Sequence, residues 1–316
     1  MSSAPQNSTN AGVSDAAYTE DTKNAASPRS GVAPAKSLWS GVWWRHALAL
    51  LALAYALFPI VFIVSSAFNN SGTLSSSSLL PSNPGVQNFV DLFNDPARPF
   101  WIWFRNSLII CTFATLFTVF LGACAAFAFS RLRWQGRRAG LLIVLLAQMF
   151  PALLAFVALY ITFANIGEII PQLGLNTLAG LMLVYLGGAM GANIWLLKGY
   201  FDTVPTSLDE AARLDGASHA RIFFSVILRL VTPILATVGI LAFVGLWGEF
   251  LLASIFLTDV GTQTLAVGLY ATREADQNAL FGQFVAGALL ASIPVVLVYL
   301  ALQKQLVGGL TSGSVK

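Results

Sequence analysis

The sequence predicts an all-α membrane protein of about six transmembrane helices, and three observations carry that prediction. Of its 316 residues, 56% are hydrophobic and only 10% charged, whereas a soluble domain carries about 25% charged residues with which to cover its surface. The apolar residues fall in long uncharged blocks, Ala47–Phe68, Ser107–Ser130, Ala139–Gly167, Ile169–Leu197 and Gln277–Gln303, with a sixth, Leu230–Thr258, interrupted only by Glu249. Each exceeds the ~20 residues that cross a bilayer as a helix. Finally, the basic residues between the blocks alternate by side, which is how a multi-spanning chain records its orientation.

With the N-terminus inside, the inner segments hold Lys23, Arg29, Lys36 and Arg45, then Arg131, Arg133, Arg137 and Arg138, then Lys198, Arg213, Arg221 and Arg229, then Lys304 and Lys316. The outer segments hold only Arg98, Arg105 and Arg273. Cytoplasmic loops carry the excess of Lys and Arg, so both termini are expected in the cytoplasm. The net charge of +3 and pI near 9.0 therefore reflect topology, not a nucleic-acid partner.

Taken in order, residues 1–37 are rich in Ser, Ala, Asn, Pro and Thr with almost no large apolar side chain, the composition of a disordered cytoplasmic extension. Residues 38–316 form the transmembrane domain. The first block lacks an evident small-residue cleavage site, so it reads as a span and not a signal peptide. Trp39, Trp43 and Trp44 precede it as an interfacial anchor. The external segment Asn69–Trp103 is turn-rich, ends in Phe100-Trp101-Ile102-Trp103-Phe104, and is expected to fold onto the outer surface. The turn Arg131–Arg138 joins spans two and three as a positive-inside anchor.

Span four contains Gly187-Gly188-Ala189-Met190-Gly191, a small-residue pattern that lets a second helix approach closely. Pro59, Pro151, Pro233 and Pro294 fall within spans, where bundled helices tolerate proline and a kink can shape a cavity. Cys111 and Cys124 share one span and read as packing residues; with only His46 and His219 as histidines, no metal site is expected. No GxxxxGK[ST] loop is present, so this chain binds no nucleotide cofactor and any ATP is used by another polypeptide.

The longest inner loop, residues 200–229, carries the most information. Ser207-Leu208-Asp209-Glu210 fits a capping box, in which Ser and Glu satisfy the first orphan N–H groups of a helix. The helix is expected over about Thr206 to Asp215, with Gly216 as its left-handed cap. Leu208, Ala211 and Ala212 form a narrow stripe of small apolar residues. Pattern alone serves equally a helix lying on the bilayer, one closing the bundle, or one docking another protein.

Glu210-Ala211-Ala212, three intervening residues and Gly216 resemble the EAA loop of the permeases of binding-protein-dependent ABC importers, written EAA-x3-G-x9-I-x-L-P. The chain departs at the end of that pattern: Val226-Ile227-Leu228-Arg229 fill the last positions, the proline is missing, and Pro233 follows four residues later. Trp247-Gly248-Glu249-Phe250-Leu251-Leu252, Thr264-Leu265-Ala266-Val267-Gly268 and the tail Leu306–Lys316, which resembles LVxGLTxGxVK, are similar to the carbohydrate members, and among them to the maltose/maltodextrin type.

The resemblance implies a cytoplasmic coupling helix between spans four and five, seated in an ATPase through Ser207, Glu210, Ala211, Ala212, Asp215 and Gly216. It implies that Gly309, Leu310, Thr311, Gly313 and Lys316 in the tail (304–316) touch the ATPase pair. It also implies that the loop from Thr258 to Ala279, through its polar, flexible tip Gly261-Thr262-Gln263-Thr264, reaches toward an extracytoplasmic solute-binding protein. Partners would be a second homologous permease, two copies of an ABC ATPase using ATP and Mg, the binding protein, a sugar and the lipids of a prokaryotic cytoplasmic membrane. Glu249 is costly within a span, which points to a cavity or gate; the alternative is an acid near the outer interface reaching water. Tyr160, Tyr185 and Trp195 stay unassigned. An ABC permease for a polyamine or amino acid remains a second reading, and an ATPase-independent secondary transporter or channel a third.

Overall fold

The computed structural model describes the backbone of residues 43–312, with side chains throughout except at 152, 189, 190, 192 and 306–312. The expected disordered extension, residues 1–37, lies outside the described residues. Contacts group the chain into residues 1–54, described only where they open the first helix, and residues 55–316.

Among the described residues the regular elements are helical: α1 (Trp43–Ala67), α2 (Gln87–Asn94), α3 (Phe100–Arg131), α4 (Arg137–Gln148), α5 (Ala152–Ile169), α6 (Leu178–Thr203), α7 (Thr206–Leu214), α8 (His219–Trp247), α9 (Leu251–Phe256), α10 (Leu265–Ala275) and α11 (Phe281–Ser312). Four of these, α1, α3, α8 and α11 to Gln305, are long and apolar enough to cross a membrane. The count rises to six if α4 with α5, and the two halves of α6, each make one bent span. The chain is a multi-pass membrane protein.

The bends have local causes. α4 and α5 meet at 99° across the break before Leu153. Pro151 sits in that break with ψ 118°, and a proline both lacks an N–H and drives the preceding residue out of helical geometry. In α6 the segments Leu178–Gly188 and Asn193–Thr203 are inclined at 51°. The glycine pattern at 187–191 therefore does not mark a seam along a straight helix. A Cβ on Gly187 or Gly188 would meet nothing within 4 Å, and only Gly191 is closely approached, by the side chain of Gln148 at the end of α4.

Two span boundaries also differ from the sequence reading. Residues 170–177 form a turn, not the start of span four, with Pro171–Leu173 as a single 3-10 turn and Asn176 at φ 57°. Span five ends at Trp247 and the chain breaks at Gly248–Phe250 before α9. In contrast, the missing proline at Arg229 leaves the helical backbone unbroken. Helical backbone runs from His219 through a π-type stretch at Ile222–Ile227 and past Pro233 to Trp247.

The helices pack around α3, whose 32 residues contribute to three successive apolar clusters. Phe100 and Trp103 pack with Phe243, Trp247, Leu265 and Leu269. Ile110 and Ala114 pack with Tyr185, Leu252 and Phe256. Ala123, Ala126 and Phe127 pack with Leu197, Phe201, Ile222 and Ile227. Small residues on the α6-facing side of α3 let the backbones come close, which is how apolar helices gain contact where lipid offers equal hydrophobicity. Cys111 is buried in the first cluster, and Cys111 and Cys124 are both free thiols.

At the Phe100 end, the segment before α2 folds back as expected. The buried amide of Asn88 donates to the carbonyls of Ser66, Ala67 and Asn69 at 3.2, 3.0 and 2.9 Å, closing the buried C-terminal end of α1.

Candidate functional site

Among the described residues, two concave regions carry charged side chains, one within the bundle and one at its arginine-bearing end. The first is a cavity of about 830 Å³ bounded by the α4–α5 break, α6 and the break after α8. Its wall is mostly apolar, from Phe156, Leu159 and Val184, and is opened by Gly187 and Gly188. Its polar groups are Gln148, Tyr185 and Glu249. That volume lies within the ~300–1,000 Å³ of ordinary small-molecule sites.

Glu249 is held where no continuous helix exists. Its Oε2 accepts from the Tyr185 hydroxyl at 2.6 Å and from the backbone N–H of Ala253 at 3.0 Å, while Oε1 accepts from the N–H of Leu252 at 2.8 Å. The carboxylate thus satisfies two orphan donors at the start of α9 and one hydroxyl from α6, which offsets the desolvation of a half-buried acid. Glu249 lines the cavity and at the same time fixes the shape of the wall.

The second region lies between the α3–α4 turn and α7. A polar cavity of about 710 Å³ is lined there by Arg131, Arg133, Arg137, Asp209, Glu210 and Arg213 among others. Arg131 Nε lies 3.2 Å from Asp209 Oδ2, with both side chains about 95% buried, in a charge contact whose N–H is not aligned for a hydrogen bond. Arg131 Nη2 donates to the Val204 carbonyl at 2.6 Å. Ser130 adds a 2.6 Å hydrogen bond to Asp202, which also pairs with Lys198. The end of α3 is thereby fastened to both sides of the turn that opens α7.

α7 itself departs from the expected capping. It begins at Thr206 with Pro205 as N-cap and no side-chain cap, so Ser207 lies inside the first turn and does not form the box with Glu210. Proline pre-sets the φ at which the chain enters the helix. The stripe also divides. Ala212 packs inward on the cluster around Phe201, beside buried Asp209, while Ser207, Leu208, Glu210, Ala211, Leu214 and Asp215 are exposed, Leu214 at 91%. Ala212 is therefore not part of an outward face with Ala211. The far end forms a Schellman motif as the glycine indicated: Gly216 has φ 79°, its N–H reaches the Arg213 carbonyl at 2.9 Å, and the Ala217 N–H reaches Ala212 at 2.9 Å.

At the opposite end of α3, the tip at 261–264 is clamped, not free. Asn106 Nδ2 donates to the carbonyls of Gly261 and Gln263 at 3.1 and 3.0 Å, Trp103 Nε1 to that of Val260 at 2.8 Å, and Ser107 Oγ accepts from Leu265 N at 2.7 Å. Thr264 is buried and Gly261 exposed. The following residues, expected as loop, form the apolar helix α10. There Gly268 lies so close to the Trp103 indole that a Cβ would come within 2.1 Å of it. Asn176, in its left-handed conformation, accepts from the N–H groups of Thr258 and Asp259 at 2.7 and 3.1 Å and gathers the other side of the same loop.

α11 keeps helical backbone through Gly309, Leu310 and Thr311 to Ser312, where a short polar tail was expected; Gly313 and Lys316 lie outside the described residues. Sequence reasoning missed Arg131 and Asp209 as a pair, Tyr185 as the partner of Glu249, and Asn106 as a clamp. Asn106 follows Arg105 and precedes the block that starts at Ser107, so no polar interruption of an apolar run marked it. Among the described residues, no group of three or more His, Cys, Asp or Glu is placed to hold a metal.

Residues 118–311 match the family described as the binding-protein-dependent transport system inner membrane component. The chain is 41% identical over 292 residues to the maltose/maltodextrin transport system permease protein MalG of Vibrio vulnificus (strain YJ016), covering 89% of this chain and 98% of that protein. It is 38% identical to MalG of Escherichia coli (strain K12) over the same shares. Among solved structures, it is similar in fold to a chain of a bacterial ABC transporter involved in the import of the acidic polysaccharide alginate, with TM-score 0.70, 24% identity, and coverage of 86% of this chain and 99% of that one. A second structure, of the alginate transporter in complex with an alginate pentasaccharide-bound periplasmic protein, matches with TM-score 0.60 and 16% identity over 84% of this chain and 95% of that one. With a family match across more than half its length and relatives aligned almost end to end, the chain belongs to the inner membrane components of binding-protein-dependent transport systems.

Proposed function

We propose that this protein is the permease subunit of an ATP-driven importer that moves a carbohydrate, in the class of maltodextrin oligosaccharides, across the cytoplasmic membrane of a prokaryote. The observation that carries this reading is the near end-to-end identity of 38–41% to maltose/maltodextrin permeases. The arginine-bearing end, with Arg131, Arg133, Arg137 and Arg213, is then cytoplasmic and the 258–264 loop external, in keeping with the positive-inside bias. This chain is a transport subunit; ATP and Mg are used by a separate ATPase.

In this reading α7 is the coupling helix. Its exposed face, Ser207, Glu210, Ala211, Leu214 and Asp215, seats in one of two ATPases, while Asp209 and Ala212 hold it to the bundle, and Gly216 turns the chain toward α8. The tail from Gly309 to Lys316 touches the ATPase pair. The exposed part of the outer loop, from Thr258 to Gly261, meets the sugar-binding protein, and Thr262, Gln263 and Thr264 set its path. The cavity with Tyr185 and Glu249 is this subunit's share of the translocation path, completed by a second, homologous permease. The proline break and the α6 bend let that wall change shape when the ATPases close, so access alternates between the two sides of the membrane.

The test is to purify the assembled complex and measure ATP hydrolysis with its binding protein loaded in turn with maltotriose, a non-glucan sugar, a polyamine or an amino acid. Stimulation by maltotriose alone is expected. Stimulation by the polyamine or amino acid would instead support the non-sugar reading, and transport into liposomes without any ATPase would overturn the importer.

A further inference from the structure

We infer that α3 is the strut that holds the external loop and the coupling helix to one rigid element, with Asn106 and Arg131 as the positioning residues at its two ends; the inference rests on the importer reading above. At one end Trp103, Asn106 and Ser107 bond the backbone of residues 260–265. At the other, Arg131 bonds the Val204 carbonyl and neutralises Asp209 in the first turn of α7. Both clamps engage main chain, so they set where the loops run and not only which side chains they present. Asn106 is 1% exposed and Arg131 has 4% of its side chain exposed, which keeps water from competing for either clamp.

The helix between them is the one described span with neither an internal proline nor a bend. α1, α8 and α11 each carry an internal proline, at Pro59, Pro233 and Pro294, and the remaining spans are bent by 99° and 51°. α3 has neither a proline nor a break. From Asn106 to Arg131 it spans about 37 Å at 1.5 Å per residue. A displacement of α7 is therefore delivered through Arg131 to the base of the loop that faces the binding protein, and a shift imposed on that loop returns by the same helix. Coupling of this kind is reciprocal between the two sites it joins.

The test uses the assembled complex in lipid nanodiscs, with ATP hydrolysis read with and without maltotriose-loaded binding protein. Asn106→Leu should leave ATPase attachment and unstimulated hydrolysis near wild type while lowering the stimulated rate at least about fivefold; the pair Arg131→Met with Asp209→Leu, which alters the coupling end itself, should lower the stimulated rate at least about fivefold more than the unstimulated one. Combining them should lower it no further than the more severe one alone, although sites this far apart ordinarily add. Trp103→Phe, which keeps an aromatic ring, though a smaller one, and deletes one donor to the loop, gives a milder variant should Asn106→Leu fail to assemble, and a smaller loss of stimulation is expected of it.

Undiminished stimulation in these variants overturns the inference, as do additive losses in the combined variant or equal loss of stimulated and unstimulated rates. A wild-type complex that no loaded binding protein stimulates overturns the importer reading itself.

Discussion

The Tyr185 hydroxyl lies 2.6 Å from Glu249 Oε2 and ties the bent helix α6 to the break that ends α8. Tyr185→Phe removes that donor from a half-buried carboxylate and should lower stability by about 1–3 kcal/mol. A lower melting temperature of the detergent-solubilised complex would report it. Glu249→Ala strands two backbone N–H groups as well as the hydroxyl, so its transport rate should fall well below that of Glu249→Gln, which keeps an acceptor. Wild-type transport and ATPase coupling in Glu249→Ala would remove the acid from any role in the cavity.

Gly188 faces open space in the cavity wall. A leucine there projects into the cavity with no neighbour to displace, so stability should change by about 1 kcal/mol or less. Uptake of radiolabelled sugar should nonetheless drop at least about tenfold if the cavity is the path for a ligand of that size. A variant with an unchanged melting temperature and unchanged uptake would place the path elsewhere.

Asp209→Ala leaves the Arg131 charge buried without its partner, which destabilises by about 3–5 kcal/mol in comparable pairs. The paired change Arg131→Met with Asp209→Leu replaces both charges by apolar groups and should recover most of that loss. Thermal unfolding of the two variants side by side measures the difference.

Leu214, 91% exposed at the end of α7, is an apolar side chain with no cover among the described residues. Leu214→Asp should weaken retention of the ATPase at least about tenfold, the equivalent of ~1.4 kcal/mol, during affinity purification. Insertion of the permease should be unaffected. Ala212→Ser, on the inward side, should have a smaller effect on retention.

Gly268→Ala would drive a methyl group into the Trp103 indole, a collision with a ring that is itself held by its bond to Val260. Overpacking of this kind lowers stability by about 1–3 kcal/mol. Near-ultraviolet circular dichroism should show the altered tryptophan environment.

Much of this was legible from residue order, because crossing a bilayer demands helices whose polar backbone is satisfied within the segment. The uncharged blocks marked the membrane-crossing regions, Gly216 marked the end of α7, and Glu249 marked a cavity wall, each through a local property of the chain. The EAA spacing and the tail pointed to the family that residues 118–311 match. Side-chain partnership was not legible in the same way. Arg131 and Asp209 are 78 positions apart in the sequence and Asn106 is 155 from Gly261, and no periodicity encodes which distant polar groups meet. Ser207 looked like a helix cap because its context fits one, yet Pro205 had already set the helix start, and Ala212 turned inward because its neighbour Asp209 is drawn to Arg131. Sequence alone determined that the chain crosses a membrane as helices and where its connecting helix ends, since these follow from hydrophobicity and local backbone chemistry. Tertiary structure alone decided which face of α7 remains outward and what holds Glu249, since those follow from packing and from the requirement that every buried charge find a partner.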